Sequence, residues 1–406
     1  MLALILAQNI SAESQVATPR LFYVSFADPT RSFDANAQAW HSINQAFALG
    51  FDAAVSKFAL HNNAAERVAL LAAATWSNAM LRYYSHELAH EYLYRDTDQP
   101  FQSGLDLRHL TSSYLPGLYY PSWRKTSVSV ADFSDEQLLR AIAGGLNQDE
   151  WNARTVWRFN PNRDDYYNAL SFLLPKLRDV VYIIRSGSEE RPFAPRQKIA
   201  QLSTTVMRDR PQLYDDVNLY RLALLNQNIT VSNGTLLRQA LAADLLSAQT
   251  WESLYALVQF VRGARVTKPL LPSDLPLISY YLTPSGGFYH LELPLQIKGR
   301  RHFVSIGSAA GLRPLKEPLR LGIEWNAWQI EHFHAGPFAY FSRLEKGQGG
   351  VALGVNADWQ VRNFSLWMQL AFYQNDILEN RIKGEKATAL RFGLRKTFPT
   401  SKGDRL

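Results

Sequence analysis

A chain of 406 residues with 47% hydrophobic and 12% aromatic content is long enough for two domains and too apolar for disorder. It contains no cysteine, which excludes disulfides, thiolate metal sites and a cysteine nucleophile, so any metal must be held by His, Asp or Glu. The net charge of +7 is scattered, with no block of five or more Lys/Arg, no phosphate loop, no G-x-S-x-G and no basic–aromatic interleaving, so nucleic acid is not an expected partner.

Read in chain order, Met1 to Ala7 is apolar and is followed by small and polar residues, the pattern of a short secretory signal; residues 1–17 are read as such a segment and the chain as exported. From about Phe33 to Arg262 the periodicity is helical. The expected helices are Asn36–Leu60, Ala64–Arg95, Asp135–Trp157, Asp165–Arg185, Gln197–Arg208, Val217–Leu225 and Gly234–Val261, with Pro175 expected to kink or break the fourth. Asn63-Ala64-Ala65-Glu66 has the form of a capping box, and so has Ser134-Asp135-Glu136-Gln137. The proline-bearing stretch Lys268–Pro276 marks a boundary, which gives a helical domain over 18–268, a β domain over 269–398 and a polar tail over 399–406.

After that boundary the period is two. In Val351 to Arg362, apolar residues alternate with Ala352, Gly354, Asn356, Asp358, Gln360 and Arg362. Tyr289 to Lys298, Phe364 to Phe372 and Leu390 to Phe398 repeat the pattern, separated by Gly-, Pro- and Asn-containing turns. Seven or eight such strands, some longer than usual in water, with one apolar face and Tyr and Trp near their ends, fit a small membrane β-barrel. A soluble antiparallel sheet packed on the helices would alternate as well. Pro294, inside a strand, counts against a closed barrel, which has no edge to accommodate it.

Two motifs carry resemblances. His86-Glu87-Leu88-Ala89-His90 is an H-E-x-x-H inside the second expected helix, where positions i and i+4 place both imidazoles on one face. It resembles the zinc-binding helix of the zincin metallopeptidases. That resemblance implies zinc held by His86 and His90, a third protein ligand, and Glu87 as the general base acting on a zinc-bound water. The residues after His90 lack the metzincin continuation, so the gluzincin plan, with a glutamate on a later helix, is the closer fit. Glu150 is the expected third ligand, on a helix whose Gly144-Gly145 pair suggests close approach to another element; Asp149 and His109 are the alternatives. A cation at Arg82, one turn before His86, would have to point away from the ion. An oxyanion donor could come from Tyr114–Tyr120. Phe392-Gly393-Leu394-Arg395-Lys396-Thr397-Phe398 resembles the C-terminal signature of bacterial outer-membrane proteins, here followed by eight further residues.

The expected fold class is therefore α+β multidomain, a helical zincin-like domain followed by an antiparallel barrel of about eight strands. The expected function is zinc-dependent hydrolysis of a polypeptide substrate at the bacterial outer membrane, with the zinc domain in the periplasm. The competing expectation is a non-enzymatic outer-membrane protein whose helical domain serves binding or assembly.

Overall fold

A computed structural model of the chain describes residues 20–25, 32–58, 63–95, 103–106, 122–125, 135–159, 165–188, 216–263, 270–271, 275–297, 300–310, 318–326, 328–343, 349–362, 364–376 and 386–398. The first described element is a strand, β1 (Arg20–Ser25). Helices α1 (Phe33–Phe58) and α2 (Ala64–Arg95) follow, then a small hairpin of β2 (Ser103–Asp106) and β3 (Ser122–Lys125). Next come α3 (Asp135–Phe159), α4 (Tyr166–Ser188), α5 (Asp216–Asn226), α6 (Asn233–Leu246) and α7 (Ala248–Arg262).

Short polar side chains start these helices by accepting from backbone N–H groups that have no partner within the helix. Ser32 Oγ accepts from Ala35 and Asp165 Oδ1 from Asn168. Asn63 Oδ1 accepts from the Glu66 N–H at 2.9 Å, while Glu66 reaches back to the Asn63 side-chain amide rather than to its backbone. α4 runs through Pro175 without a break, and the expected single helix over 234–261 is two, divided at Ser247. The segments expected as a signal, as the helix Gln197–Arg208 and as the polar tail lie outside the described residues, as do His109 and Tyr114–Tyr120.

The remaining strands are β4 (Leu277–Thr283), β5 (Gly286–Ile297), β6 (Arg300–Ala309), β7 (Leu319–Glu324), the short β8 (Trp328–Ile330), β9 (Phe333–Arg343), β10 (Gly349–Val361), β11 (Phe364–Gln374) and β12 (Lys386–Phe398). All pair antiparallel in one curled ten-stranded sheet in the order β1-β12-β11-β10-β9-β7-β6-β5-β4, with β8 beside β9. Among the described residues the sheet is open, with β1 and β4 at its ends. Sequence reading missed β1, which pairs Arg20 to Phe398 through Ser25 to Gly393, so a segment ahead of the helices belongs to the sheet. Pro294 lies where β5 overhangs β4. The last β4 partner is Glu292, opposite Leu277, so the missing N–H of Pro294 interrupts no described ladder on that side.

The two faces of the sheet differ in character, with the charged groups on the side toward the helices and large exposed apolar residues on the other. Facing the helices are Glu292, His290, Ser305, Arg320, Tyr340, Tyr373 and Arg391, all buried. Turned away, and exposed, are Leu295, Ile306, Leu321, Ile323, Phe341, Leu353, Val355, Trp359, Val361, Phe364, Leu366, Met368, Leu370, Leu390, Phe392 and Leu394. The inner face is pinned to α3 by charge: Arg154 and Arg158 both bind the Glu292 carboxylate, at 2.7 and 2.6 Å, and Arg158 also binds Glu324 at 2.7 Å. Apolar contacts join the same layers, with Phe33, Ala89, Ala141 and Trp151 of the helices packed against Tyr281 and Phe288 of the sheet.

Candidate metal centre

His86 and His90 lie one turn apart on α2, facing α3. Each ring is oriented by a hydrogen bond at Nδ1. His90 Nδ1 is 2.7 Å from the carbonyl of Ala141, an acceptor, so Nδ1 carries the proton and Nε2 is left with its lone pair. His86 Nδ1 is 3.1 Å from Asp149 Oδ2, and the same oxygen accepts from Arg82 at 2.7 Å. Arg82 is therefore neutralised by the carboxylate that orients His86, on the Nδ1 side of that ring. A carboxylate or carbonyl behind each histidine is the usual support of a ligating imidazole, because it fixes the tautomer and the ring plane.

The two Nε2 atoms are 3.4 Å apart. A third atom completes a triangle with them: Asp216 Oδ2, at the first residue of α5, is 3.4 Å from His86 Nε2 and 3.3 Å from His90 Nε2. Among the described residues, His86, His90 and Asp216 form the one group of three His, Cys, Asp or Glu ligands with this closeness. The spacing has a simple meaning. Ligand atoms about 2.0–2.1 Å from a tetrahedral zinc lie about 3.3 Å from one another.

Backbone packing makes room for the triangle. A Cβ placed on Gly145 would lie 2.2 Å from His86 Nε2, so α3 can pass beneath the imidazole only where it has no side chain. The glycine that breaks the helical propensity of α3 is thus the one that admits His86. Burial alone would push the His86 imidazole toward neutrality. Asp149 and Asp216 outweigh it and raise its pKa to about 9, so the carboxylates around this ring favour a positive charge in the triangle. His86 and His90 are 4% and 1% exposed. Glu87, beside them on α2, is also buried.

The expected third ligand is placed elsewhere. Both oxygens of Glu150 bind Lys176 Nζ of α4, at 2.9 and 2.7 Å. Burial and the nearby Asp244 raise the Glu150 pKa against the opposing pull of Lys176, to about 7. The reason is rotation along the helix. Gly145 and Asp149, four residues apart, share the face turned to α2, and the residue after Asp149 is swung by about 100° onto α4. Asp149, the alternative, reaches His86 on its Nδ1 side, where it orients the ring and stands outside the triangle. Asp216 went unrecognised because nothing local marks it: an acidic residue at a helix start reads as a favourable charge for the helix dipole.

No family, curated protein or solved structure matches the chain.

Proposed function

We propose that the protein is a zinc-dependent hydrolase of peptide bonds, held at the bacterial outer membrane by its sheet, with His86, His90 and Asp216 as the metal ligands. The observation that carries this reading is the triangle of two Nε2 atoms and one Oδ2 atom at 3.3–3.4 Å, with the second nitrogen of each ring already bonded elsewhere. Three protein ligands leave one tetrahedral position for water, the arrangement of catalytic rather than structural zinc. Zinc would lower the pKa of that water and polarise a carbonyl. Glu87, adjacent to His86 on the same buried helix, is assigned the proton transfer from the water to the leaving amine.

The membrane part of the reading is supported by the two faces of the sheet. Its exposed face offers a largely apolar surface across β10, β11 and β12, with Lys396 beside Phe364 near the end of β12, and its ion pairs lie on the buried side, the division expected of a wall in lipid. Migration that changes on heating in detergent would test it; release by carbonate alone would remove it.

The burial of both histidines favours a second reading, an ion that only ties α2 to α5. Elemental analysis and turnover separate the two. Wild type is expected to hold about one zinc per chain, by the three-ligand plan, and His86→Ala, His90→Ala and Asp216→Ala to lose it. Glu87→Gln is expected to keep the zinc and lose hydrolysis of an unfolded polypeptide. A folded wild type without stoichiometric metal would overturn the zinc assignment. Undiminished hydrolysis by Glu87→Gln would overturn the mechanism, and zinc without turnover in wild type would establish the second reading.

A further inference from the structure

The strand series stops at β4, and side chains of the helices take up the hydrogen bonds at that edge. Thr283 faces Gly286 across the Pro284-Ser285 turn, so in the alternating ladder Ile278, Tyr280 and Leu282 turn their backbone groups away from β5. Asn147 of α3 meets Leu282 with both halves of its amide. Its Oδ1 accepts from the Leu282 N–H at 2.7 Å and its Nδ2 donates to the Leu282 carbonyl at 2.8 Å. A side-chain amide thus stands where the peptide of a next strand would. Lys176 Nζ of α4 donates to the Ile278 carbonyl at 2.9 Å. Water could satisfy such an edge unaided; hydrocarbon could not, and there an open sheet edge is not tolerated unless protein covers it.

The helices then continue round the edge onto the outward side of the sheet. Tyr289, on the outward face of β5, donates its hydroxyl to the Gln239 carbonyl of α6 at 3.2 Å, and Gln249 of α7 donates to the Leu275 carbonyl at 2.7 Å. Past these contacts α6 and α7 meet at Ser247. The corner exposes Leu245, Leu246, Trp251 and Leu254, with Leu246 at 70%. The Trp251 indole N–H is already bonded to the Leu245 carbonyl at 2.9 Å, so what the ring offers outward is apolar.

We propose that the α6–α7 corner is a lipid-contacting surface: the helical unit stands in for the strands that would close the sheet, and Leu245, Leu246, Trp251 and Leu254 carry its apolar outward face on into bilayer hydrocarbon. The proposal rests on the membrane reading above. Hydrocarbon, rather than a second copy of the chain, is the occupant because the corner is joined to the outward face of β5 through Tyr289, and because the β4 edge that a second copy would pair with is already occupied by Asn147 and Lys176.

The absence of cysteine allows a direct test. Single cysteines at Leu246 and Trp251, at Val355 and Leu370 on the outward sheet face, and at exposed Ala53 of α1 are spin-labelled in the full chain reconstituted in phosphatidylethanolamine–phosphatidylglycerol vesicles. Collisional access to oxygen and to chromium oxalate is then measured. The expected result is a rise in the oxygen-to-chromium ratio at 246 and 251 to the level at 355 and 370, with the ratio low at 53. A low ratio at 246 and 251 beside a high one at 355 and 370 would place the corner in water and overturn the proposal while leaving the membrane reading intact. A low ratio at all positions would overturn both. A two-fold symmetric dipolar broadening between chains at 246 would assign the corner to a second copy instead.

Discussion

The helical unit and the sheet place their apolar residues differently. Between the helices, Leu139, Ile142, Leu146, Tyr220 and Leu224 form an ordinary apolar core, with the buried pairs Arg82–Asp149 and Lys176–Glu150 beside it. Across the sheet the buried side carries the ion pairs beside an aromatic cluster of Phe338, Tyr340 and Tyr373, while leucine, phenylalanine and tryptophan face out. In both regions charged side chains taken from water are joined in ion pairs, Arg82 with Asp149 and Lys176 with Glu150 among the helices and Arg320 with Asp376 on the sheet. The two regions differ in what the unpaired apolar surface meets. An outward face this long and apolar would be a liability in water and would be an asset in lipid.

The largest expected effect lies where the two regions join. Glu292→Gln leaves the buried Arg154 with a neutral acceptor in place of a carboxylate and the half-buried Arg158 with Glu324 alone, and breaking a buried pair this way costs about 3–5 kcal/mol. Denaturation in detergent should show the helices and the sheet separating in two transitions in place of one. An unchanged single transition would mean that the apolar contacts around Phe33, Trp151 and Phe288 hold the layers without the charges.

Leu370→Arg tests the medium. It places a charge at the centre of the outward face of β11, next to Leu353 and Val355 on β10. In a bilayer that should cost about 2–4 kcal/mol, falling for substitutions nearer the strand ends. On a water-exposed sheet the same change should be neutral or improve solubility, so the sign of the effect decides between lipid and water.

These contrasts also explain what could be read from the sequence. Alternation along Val351 to Arg362 is local, and the strands it announces are present. His86 and His90 are four residues apart, so helical geometry alone sets them side by side. The glycine pair of α3 signalled a close approach, and Gly145 lies against His86. Partners supplied by the fold were not legible. Asp216 is brought to the histidines by the packing of α5, β1 finds β12 from the far end of the chain, and Glu150 was favoured for its sequence neighbourhood when a turn of about 100° per residue hands that face of α3 to Asp149. The division at Ser247 had a signal, a serine able to start a helix, but no Gly or Pro to enforce it.

An acid titration distinguishes the helical interior from the metal centre. His41 of α1 is fully buried and stacked on Phe159, and burial lowers its pKa to about 3. A base whose folded pKa lies below its unfolded value of about 6.5 binds its proton more readily when unfolded, so stability is complete above about 6.5 and is lost as pH falls toward 3. The loss should be on the order of a few kcal/mol, and His41→Phe should flatten it. If the acid limb of the stability curve is the same in both proteins, His41 is not its source.

The smallest effect on stability, and the sharpest on the site, is expected from Gly145→Ala. Alanine in the middle of α3 should favour the helix by about 1 kcal/mol over glycine. Its Cβ, however, would lie 2.2 Å from His86 Nε2, and the ring cannot simply retreat, because Asp149 holds Nδ1 from behind. Relief requires His86 to turn out of the triangle, and the strain of doing so in a packed interior is of the same order as the helix gain, about 1–3 kcal/mol. The metal-free protein should therefore melt within a few degrees of wild type, while zinc measured by calorimetric titration should no longer bind at the wild-type affinity. Both readouts are needed, since they are expected to part. A variant that melts normally and still binds zinc as tightly would show that His86 Nε2 is not a ligand, and the triangle would then have to be rebuilt around His90 and Asp216.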